Sequence, residues 1–367
     1  MAESSLSRTR RAVRRREFLK AMLVSPALVP GFRSLQSALL AGNANLLSLV
    51  PADSSLPGLI TSNNDFFVRN HFRTPQISSE SWNLMIDGLV SSPLKLPYSD
   101  LLMANPVRRT VTMECAGNSS GGIGVGNAVW TGIPLSELLK QAGAKPAATT
   151  VILHGADAGS GEDLPANTHF ARAIPIERAM NANTLLAYEM NGSPLPADHG
   201  FPLRALVAGW YGMDSVKWLT RIELTNQPFE GYFQQQHYVA LKDGEHRPIT
   251  RMLVNSKFLR PSDGEEIGKK IYRVNGVAWA GEQKIAKVEI RFSPGDSWQP
   301  ASLDSPSLPL TWTSWSYEWR IPSAGKYTLE VRAFDEEGKT QPDVRDPGRQ
   351  DAYELNTPHR ISVSVRL

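Results

Sequence analysis

Apolar residues recur with two different periods along this chain, and the change of period divides it. Trp82, Leu84 and Ile86 are spaced two apart and run into Asp87-Gly88, a strand entering a hairpin. From Pro134 to Ala142 the apolar positions fall at helical spacing, and Gly143 supplies the stop. Thr150 to Leu153 reads as a short strand and Ile176 to Met180 as a short helix, so residues 45–245 are expected to mix α and β. From about Pro248 only the period of two remains, in Tyr272 to Val274, Val288 to Phe292, Tyr327 to Val331 and Ile361 to Val365. Gly264, Gly276, Gly281, Gly295, Gly325 and Gly338 punctuate these segments. With no helical spacing here, residues 246–367 are expected to form an all-β, immunoglobulin-like sandwich, the boundary falling between Leu241 and Arg251. The fold class is therefore α+β, and no internal repeat or low-complexity run interrupts it.

Length and composition agree with two cores, since 367 residues at 41% hydrophobic content exceed what one core needs. No apolar run approaches the roughly eighteen residues of a membrane-spanning helix. At the N-terminus, Arg15-Arg16-Glu17-Phe18-Leu19-Lys20 leads into a short apolar run from Ala21 to Pro30. An arginine pair followed by Phe-Leu-Lys marks a twin-arginine export signal, assigned to residues 1–44 with cleavage between Ala38 and Ala44. That route carries folded proteins, so the expected compartment is the periplasm, reached after any cofactor has been acquired. The net charge is only +3, and Arg8, Arg10, Arg11, Arg14, Arg15 and Arg16 all sit in the signal, so no nucleic-acid surface is expected.

The chain has one cysteine, which excludes an intrachain disulfide. A lone thiol is most often a small buried group, and only its surroundings can argue otherwise. Cys115 ends the strand pattern from Val111 and opens a run of small and turn-forming residues to Gly122, where glycines let backbone N–H groups and an anionic ligand approach. The glycines at 122, 124 and 126 do not make a dinucleotide fingerprint. Further donors come in clusters: Arg69, Asn70 and His71 after Phe66-Phe67-Val68, His199 to Arg204, and Asp214 to Trp218. Taken singly, these read as surface charges or a satisfied core histidine; together they supply cations suited to phosphate and ring oxygens. No Cys-x-x-Cys or His-x-x-x-His pair suggests zinc, and nothing near Cys115 in sequence supplies the base that a thiol hydrolase needs.

Five ordered blocks carry a resemblance: Phe67 to His71, Glu114 to Asn118, Leu186 to Gly192, Asp198 to Arg204 and Ser215 to Trp218. In order and spacing they resemble the sulfite oxidase family, and the similarity covers nearly the whole chain after the signal. It implies a molybdopterin-binding catalytic domain followed by a dimerisation domain, with one Mo-molybdopterin per chain and a homodimer. Cys115 then matches the thiolate ligand of molybdenum, a soft donor for such a centre. Phe67, Val68, Arg69, Asn70, His71, Asp157, His199, Arg204, Ser215, Val216 and Lys217 match positions holding the pterin and its phosphate. Tyr238 matches the tyrosine at the metal, and Arg69 doubles as a cation of the substrate pocket. The implied reaction oxidises sulfite to sulfate by oxygen-atom transfer. Because no haem-attachment motif is present, electrons would pass to a separate c-type cytochrome.

One departure from the family stands beside the active thiol. Ser119-Ser120 occupy positions where sulfite-oxidising members carry arginine, and fewer cations bind a dianion less well. Arg108 and Arg109 are close in sequence but lie on the preceding strand. A sulfur dehydrogenase subunit acting on carrier-bound sulfane is the alternative this raises, and a sulfoxide reductase is a further one. From another class comes an exported β-sandwich binding protein whose cysteine is merely buried.

Overall fold

The structure is a computed structural model that describes residues 59–161, 164–293 and 295–367. The export signal and its cleavage region lie outside the described residues. Among the described residues, a hairpin of Val239–Lys242 and Glu245–Pro248 follows the ten strands that build the two sheets of the first part: β1 (Asn83–Gly88), β2 (Leu94–Pro97), β3 (Val107–Glu114), β4 (Val125–Pro134), β5 (Thr150–Gly161), β6 (Leu164–Pro175), β7 (Thr184–Met190), β8 (Ser193–Pro194), β9 (Arg204–Val207) and β10 (Leu219–Thr225). Three short helices join them, α1 (Tyr98–Met103), α2 (Leu135–Ala142) and α3 (Ile176–Ala179).

The strands form two sheets around one core. The first has the order β2-β1-β10-β5-β6, with β1 parallel to β10 and the other neighbours antiparallel. The second runs β3-β4-β7-β8, and β9 also pairs with β7. Leu84, Ile86, Val151, Leu153 and Ile222 of the first sheet meet Ile133, Leu186 and Val207 of the second. Leu185, Ala187 and Leu206 point to the other face of the second sheet, against Trp130, Val111 and Phe66. Strand β7 is therefore buried on both faces, with an apolar run from Leu185 to Tyr188.

The alternation from Trp82 to Ile86 does form β1, and Gly88, at φ +83°, opens the hairpin to β2. Helix α2 follows the expected span, with Leu135, Leu138, Leu139 and Ala142 inward and Gly143 closing it in a left-handed cap. The expected mixture of α and β is nonetheless mostly β. Among the described residues no α-helix exceeds the eight residues of α2, and each begins directly after a proline, Pro97, Pro134 or Pro175. The helices act as short connectors while the sheets fill the core.

Eight strands make the C-terminal part, in the hydrogen-bonded order 255–260, 271–279, 313–320, 299–303, 285–291, 325–335, 359–365 and 266–267. All four alternating segments read from the sequence lie in these strands, apart from Phe292 just beyond one end. Strand 299–303 pairs with both 313–320 and 285–291, so the path folds over a single core containing Val274, Val288, Trp315, Val331 and Val363. Arg178 of α3 reaches this part through a two-pronged pair with Glu282, at 2.9 and 2.7 Å.

Candidate active site

Strand β3 stops at Glu114, one residue before the thiol, because the chain turns there. The Cys115 N–H donates to the Gly124 carbonyl (2.8 Å) and the Asn118 N–H to the Cys115 carbonyl (2.9 Å). Gly126, opposite Met113 on β4, lets the Phe66 ring come so close that an added Cβ would sit 2.7 Å from it. This places Cys115 at the edge of a pocket also lined by Phe67, Arg69, Asn70, His71, Asp157, His199, Arg204, Ser215, Lys217 and Tyr238. Residues far apart in sequence are thus brought together around one thiol. Two expected members fall outside: Val68 is half exposed, and Val216 is buried in the hydrophobic core, so neither side chain lines the pocket. Alternation explains both, since each sits between neighbours that turn inward.

At the thiol end, burial pushes the Cys115 pKa up, while a hydrogen bond from the Gly117 N–H and the charge of Arg69 oppose it. The Tyr238 hydroxyl shares a 2.6 Å hydrogen bond with His71 Nε2 and also lies beside the Arg69 guanidinium. Burial, then the neighbouring Cys115, pushes the Tyr238 pKa well above its ordinary value, so the phenol keeps its proton. The His71 ring stacks on Phe170 at 4.3 Å. Burial first, then Arg69 and other cations, brings its pKa down to about 3, so it is a neutral hydrogen-bonding partner at pH 7.

Behind these groups lies an ion pair: Asp214 opens a cluster noted in the sequence, but its partner Arg172 lies outside every such cluster. Arg172 and Asp214 are fully buried and joined at 2.7 Å, and the Arg172 guanidinium lies 5.7 Å from the Tyr238 ring centre. Burial raises the Asp214 pKa to about 6 despite this cation.

The opposite end holds cations without acidic partners. Arg204 is 3% exposed and spends its donors on the His199 carbonyl (3.1 Å), the Ser215 carbonyl (2.9 Å) and Met113 sulfur (3.4 Å). Burial lowers its pKa to about 9. Lys217 bonds to Asn70 Oδ1 and to the Asp198 carbonyl (2.8 Å), and burial, then Arg204, brings its pKa down to about 7. Among the described residues no carboxylate forms an ion pair with either cation. His199 Nε2 donates to the Asn63 carbonyl (2.9 Å), which fixes its tautomer. Asp157 is buried, its Oδ1 has no hydrogen-bond partner among the described residues, and its pKa is raised to about 6 by burial.

The site residues expected from the sequence all lie in the first part, but the C-terminal part contributes. The Tyr353 ring stands 5.3 Å from that of Tyr238 and 6.2 Å from that of His237. The Ser119-Ser120 departure also looks different in place. Neither serine lines the pocket, and the Ser120 hydroxyl is engaged by the Leu355 carbonyl (3.3 Å) and Thr357 Oγ1 (2.9 Å). Arg109 is likewise turned away, bonding to Asn183 (3.3 Å). Of the lining residues not singled out from sequence, Met113 sits beside a recognised block, whereas Phe170 carries no sequence signal; nor does Tyr353, which packs on Tyr238.

Comparison with known proteins bears directly on this pocket. Residues 71–233 match the model of the oxidoreductase molybdopterin binding domain, and residues 246–365 match that of the Mo-co oxidoreductase dimerisation domain. Human mitochondrial sulfite oxidase is 31% identical over 332 residues, covering 81% of this chain and 60% of that protein. Nitrate reductase [NADH] 1 of Arabidopsis thaliana is 32% identical over 350 residues, covering 80% of this chain and 37% of that protein. The chain thus spans less than two thirds of the length of these relatives. Among solved structures, the sulfane dehydrogenase SoxCD of Paracoccus pantotrophus superposes with a TM-score of 0.76 at 27% identity, covering 94% of this chain and 96% of that one. This chain belongs to the sulfite oxidase family of molybdopterin-dependent oxidoreductases.

Proposed function

We propose that the chain oxidises a small sulfur oxyanion, sulfite, to sulfate and passes the electrons to a separate c-type cytochrome. The observation that carries this reading is the cation at the thiol end: Arg69 acts electrostatically on Cys115, Tyr238 and Tyr353 alike. An anionic substrate entering there meets a positive charge beside the reacting centre.

The residues fit the Mo-molybdopterin of the family on their own chemistry. Cys115 offers the single thiol, a soft anionic donor once deprotonated. Arg204 is a buried cation and Lys217 a half-buried one, neither in a direct ion pair among the described residues although Asp157 and Asp198 act on Lys217, and such cations suit a phosphate-bearing group; the unpartnered Asp157 oxygen is an acceptor for pterin N–H donors. When bound, the cofactor supplies oxygen-atom transfer and takes up two electrons. The protein's share is positional. Cys115 would hold the metal, and Phe67, Arg69, Asn70, His71, Asp157, His199, Ser215 and the two cations would hold the organic part. Arg69 binds the substrate anion, while the Tyr238 hydroxyl, kept protonated and fixed by neutral His71, offers a hydrogen bond at the centre.

Replacing Arg69 by Gln is expected to raise KM for sulfite about tenfold or more, with a smaller change in kcat, measured with cytochrome c or ferricyanide as acceptor. An unchanged KM would remove Arg69 from the substrate site. The second reading, a dehydrogenase for carrier-bound sulfane, is favoured by the SoxCD likeness, which covers 94% of this chain and 96% of that one. Turnover of a sulfane-bearing carrier but not of sulfite would establish it.

In this reading residues 246–367 form an immunoglobulin-like dimerisation sandwich, and sedimentation of the purified protein should give a homodimer. The Arg15-Arg16 signal sends the chain to the periplasm. Changing both arginines to lysine should leave unprocessed protein in the cytoplasm.

A further inference from the structure

Glu114 immediately precedes the thiol, yet its side chain turns away from the pocket and is 2% exposed. Its Oε1 accepts from Asn118 Nδ2 (3.0 Å) in the thiol loop and from Asn255 Nδ2 (3.1 Å) in the C-terminal part. Its Oε2 accepts from Trp279 Nε1 (2.9 Å), also in the C-terminal part. Three neutral donors therefore surround one buried carboxylate, where an apolar side chain would pack with less desolvation cost.

Both arms of this contact return to the loop. On one side, Asn118 Oδ1 accepts from the Gly124 N–H (2.9 Å), and the Gly124 carbonyl accepts from the Cys115 N–H (2.8 Å). On the other, Asn255 Oδ1 accepts from Gln341 Nε2 (3.2 Å), which also donates to the Thr357 carbonyl (3.0 Å), and Thr357 Oγ1 shares a hydrogen bond with Ser120 (2.9 Å). Lys257 Nζ adds a third tie, to the Gly122 carbonyl (3.2 Å). The loop from Cys115 to Gly124 is thus held at its start, middle and end by one polar circuit whose far side belongs to the C-terminal strands. A satisfied circuit of this kind permits one geometry and resists others.

We propose that Glu114 is a positioning residue for the Cys115 sulfur, so that the C-terminal part sets the metal ligand's geometry in addition to covering it. The inference rests on the reading of Cys115 as the molybdenum thiolate. Outer residues that orient metal ligands commonly matter about ten- to a hundredfold for metal retention.

The test uses the full chain as purified from a host that makes the cofactor, in wild type, Glu114→Ala, Asn255→Ala and Glu114→Gln forms. Two quantities are read: the g-values of the one-electron-reduced Mo(V) state by electron paramagnetic resonance, and the rate of alkylation by iodoacetamide. With a single cysteine in the chain, every alkylated molecule reports Cys115. Both Ala variants, shown folded by cooperative unfolding, should alkylate about tenfold faster and have shifted g-values. Glu114→Gln keeps an acceptor for the two asparagines but places an amide against Trp279, so it should fall between. Folded Ala variants with wild-type rates and g-values would overturn the proposal and leave Glu114 as an interdomain fastener only. If Glu114→Ala fails to fold, Gln341→Met and Ser120→Ala decide, with smaller shifts in the same direction expected and wild-type behaviour overturning it. Wild-type protein lacking molybdenum would instead sink the metal reading, while the alkylation comparison would still judge the circuit.

Discussion

Arg172 and Arg204 are both buried arginines, the first behind Tyr238 and the second lining the pocket, yet only one has an acid. Arg172 is closed by Asp214 at 2.7 Å, whereas Arg204 is left with carbonyls and a thioether. The contrast separates two jobs. A buried cation matched by a buried anion belongs to the protein's own framework, here the backing of Tyr238. A buried cation with no matching anion is electrostatically incomplete, and the missing charge is what the site is shaped to receive. The same contrast runs across the pocket, with the thiol loop closed into a protein circuit and the Lys217 end left open.

The sharpest way to break this comparison is to remove each arginine in turn from the cofactor-free chain. Arg172→Met leaves Asp214 buried without its cation and should cost about 3–5 kcal/mol in denaturant unfolding. Arg204→Met removes a charge that no carboxylate among the described residues pairs with, so its cost should be about 1 kcal/mol or less, or even a gain. Its loss should appear instead as failure to retain the cofactor. Equal costs for the two variants would erase the distinction.

A smaller effect concerns pH. In the folded chain the Lys217 pKa is lowered to about 7 from the ordinary 10.5, so between these values the unfolded chain binds more protons than the folded one. Stability of the cofactor-free chain should therefore receive a rising contribution from Lys217 as pH climbs from 7 towards 10. Lys217→Met should flatten that rise in thermal unfolding measured across this range. An unchanged slope would mean that the lysine is not held in a desolvated site.

Most of the framework could be read along the chain because it depends on local periodicity. The alternation around Leu84 and Ile86, the helix closed by Gly143 and the C-terminal strands all follow from side chains a few positions apart. The pocket was legible in part for a related reason: Arg69, Cys115, His199 and Lys217 lie in compact blocks whose spacing matches a family. What stayed hidden are the ties between blocks. Trp279 lies 165 residues from Glu114 and Tyr353 115 residues from Tyr238, and no periodicity marks either contact. Ser120 shows the limit of motif comparison. Its identity departs from that of sulfite-oxidising relatives, but its hydroxyl faces Thr357, so the departure changes the loop's fastening to the C-terminal part. Val68 and Val216 show it from the other side, because a residue inside a functional block can still point away from the site.

The central claim is that Cys115 holds molybdenum in this pocket. The most direct measurement is molybdenum per chain by elemental mass spectrometry, on wild type and Cys115→Ser expressed in a cofactor-producing host. The expected result is close to one metal per wild-type chain and, in the folded variant, little or none. Wild-type protein without molybdenum, under conditions that load another molybdoenzyme, would contradict the claim, as would a serine variant that keeps its metal.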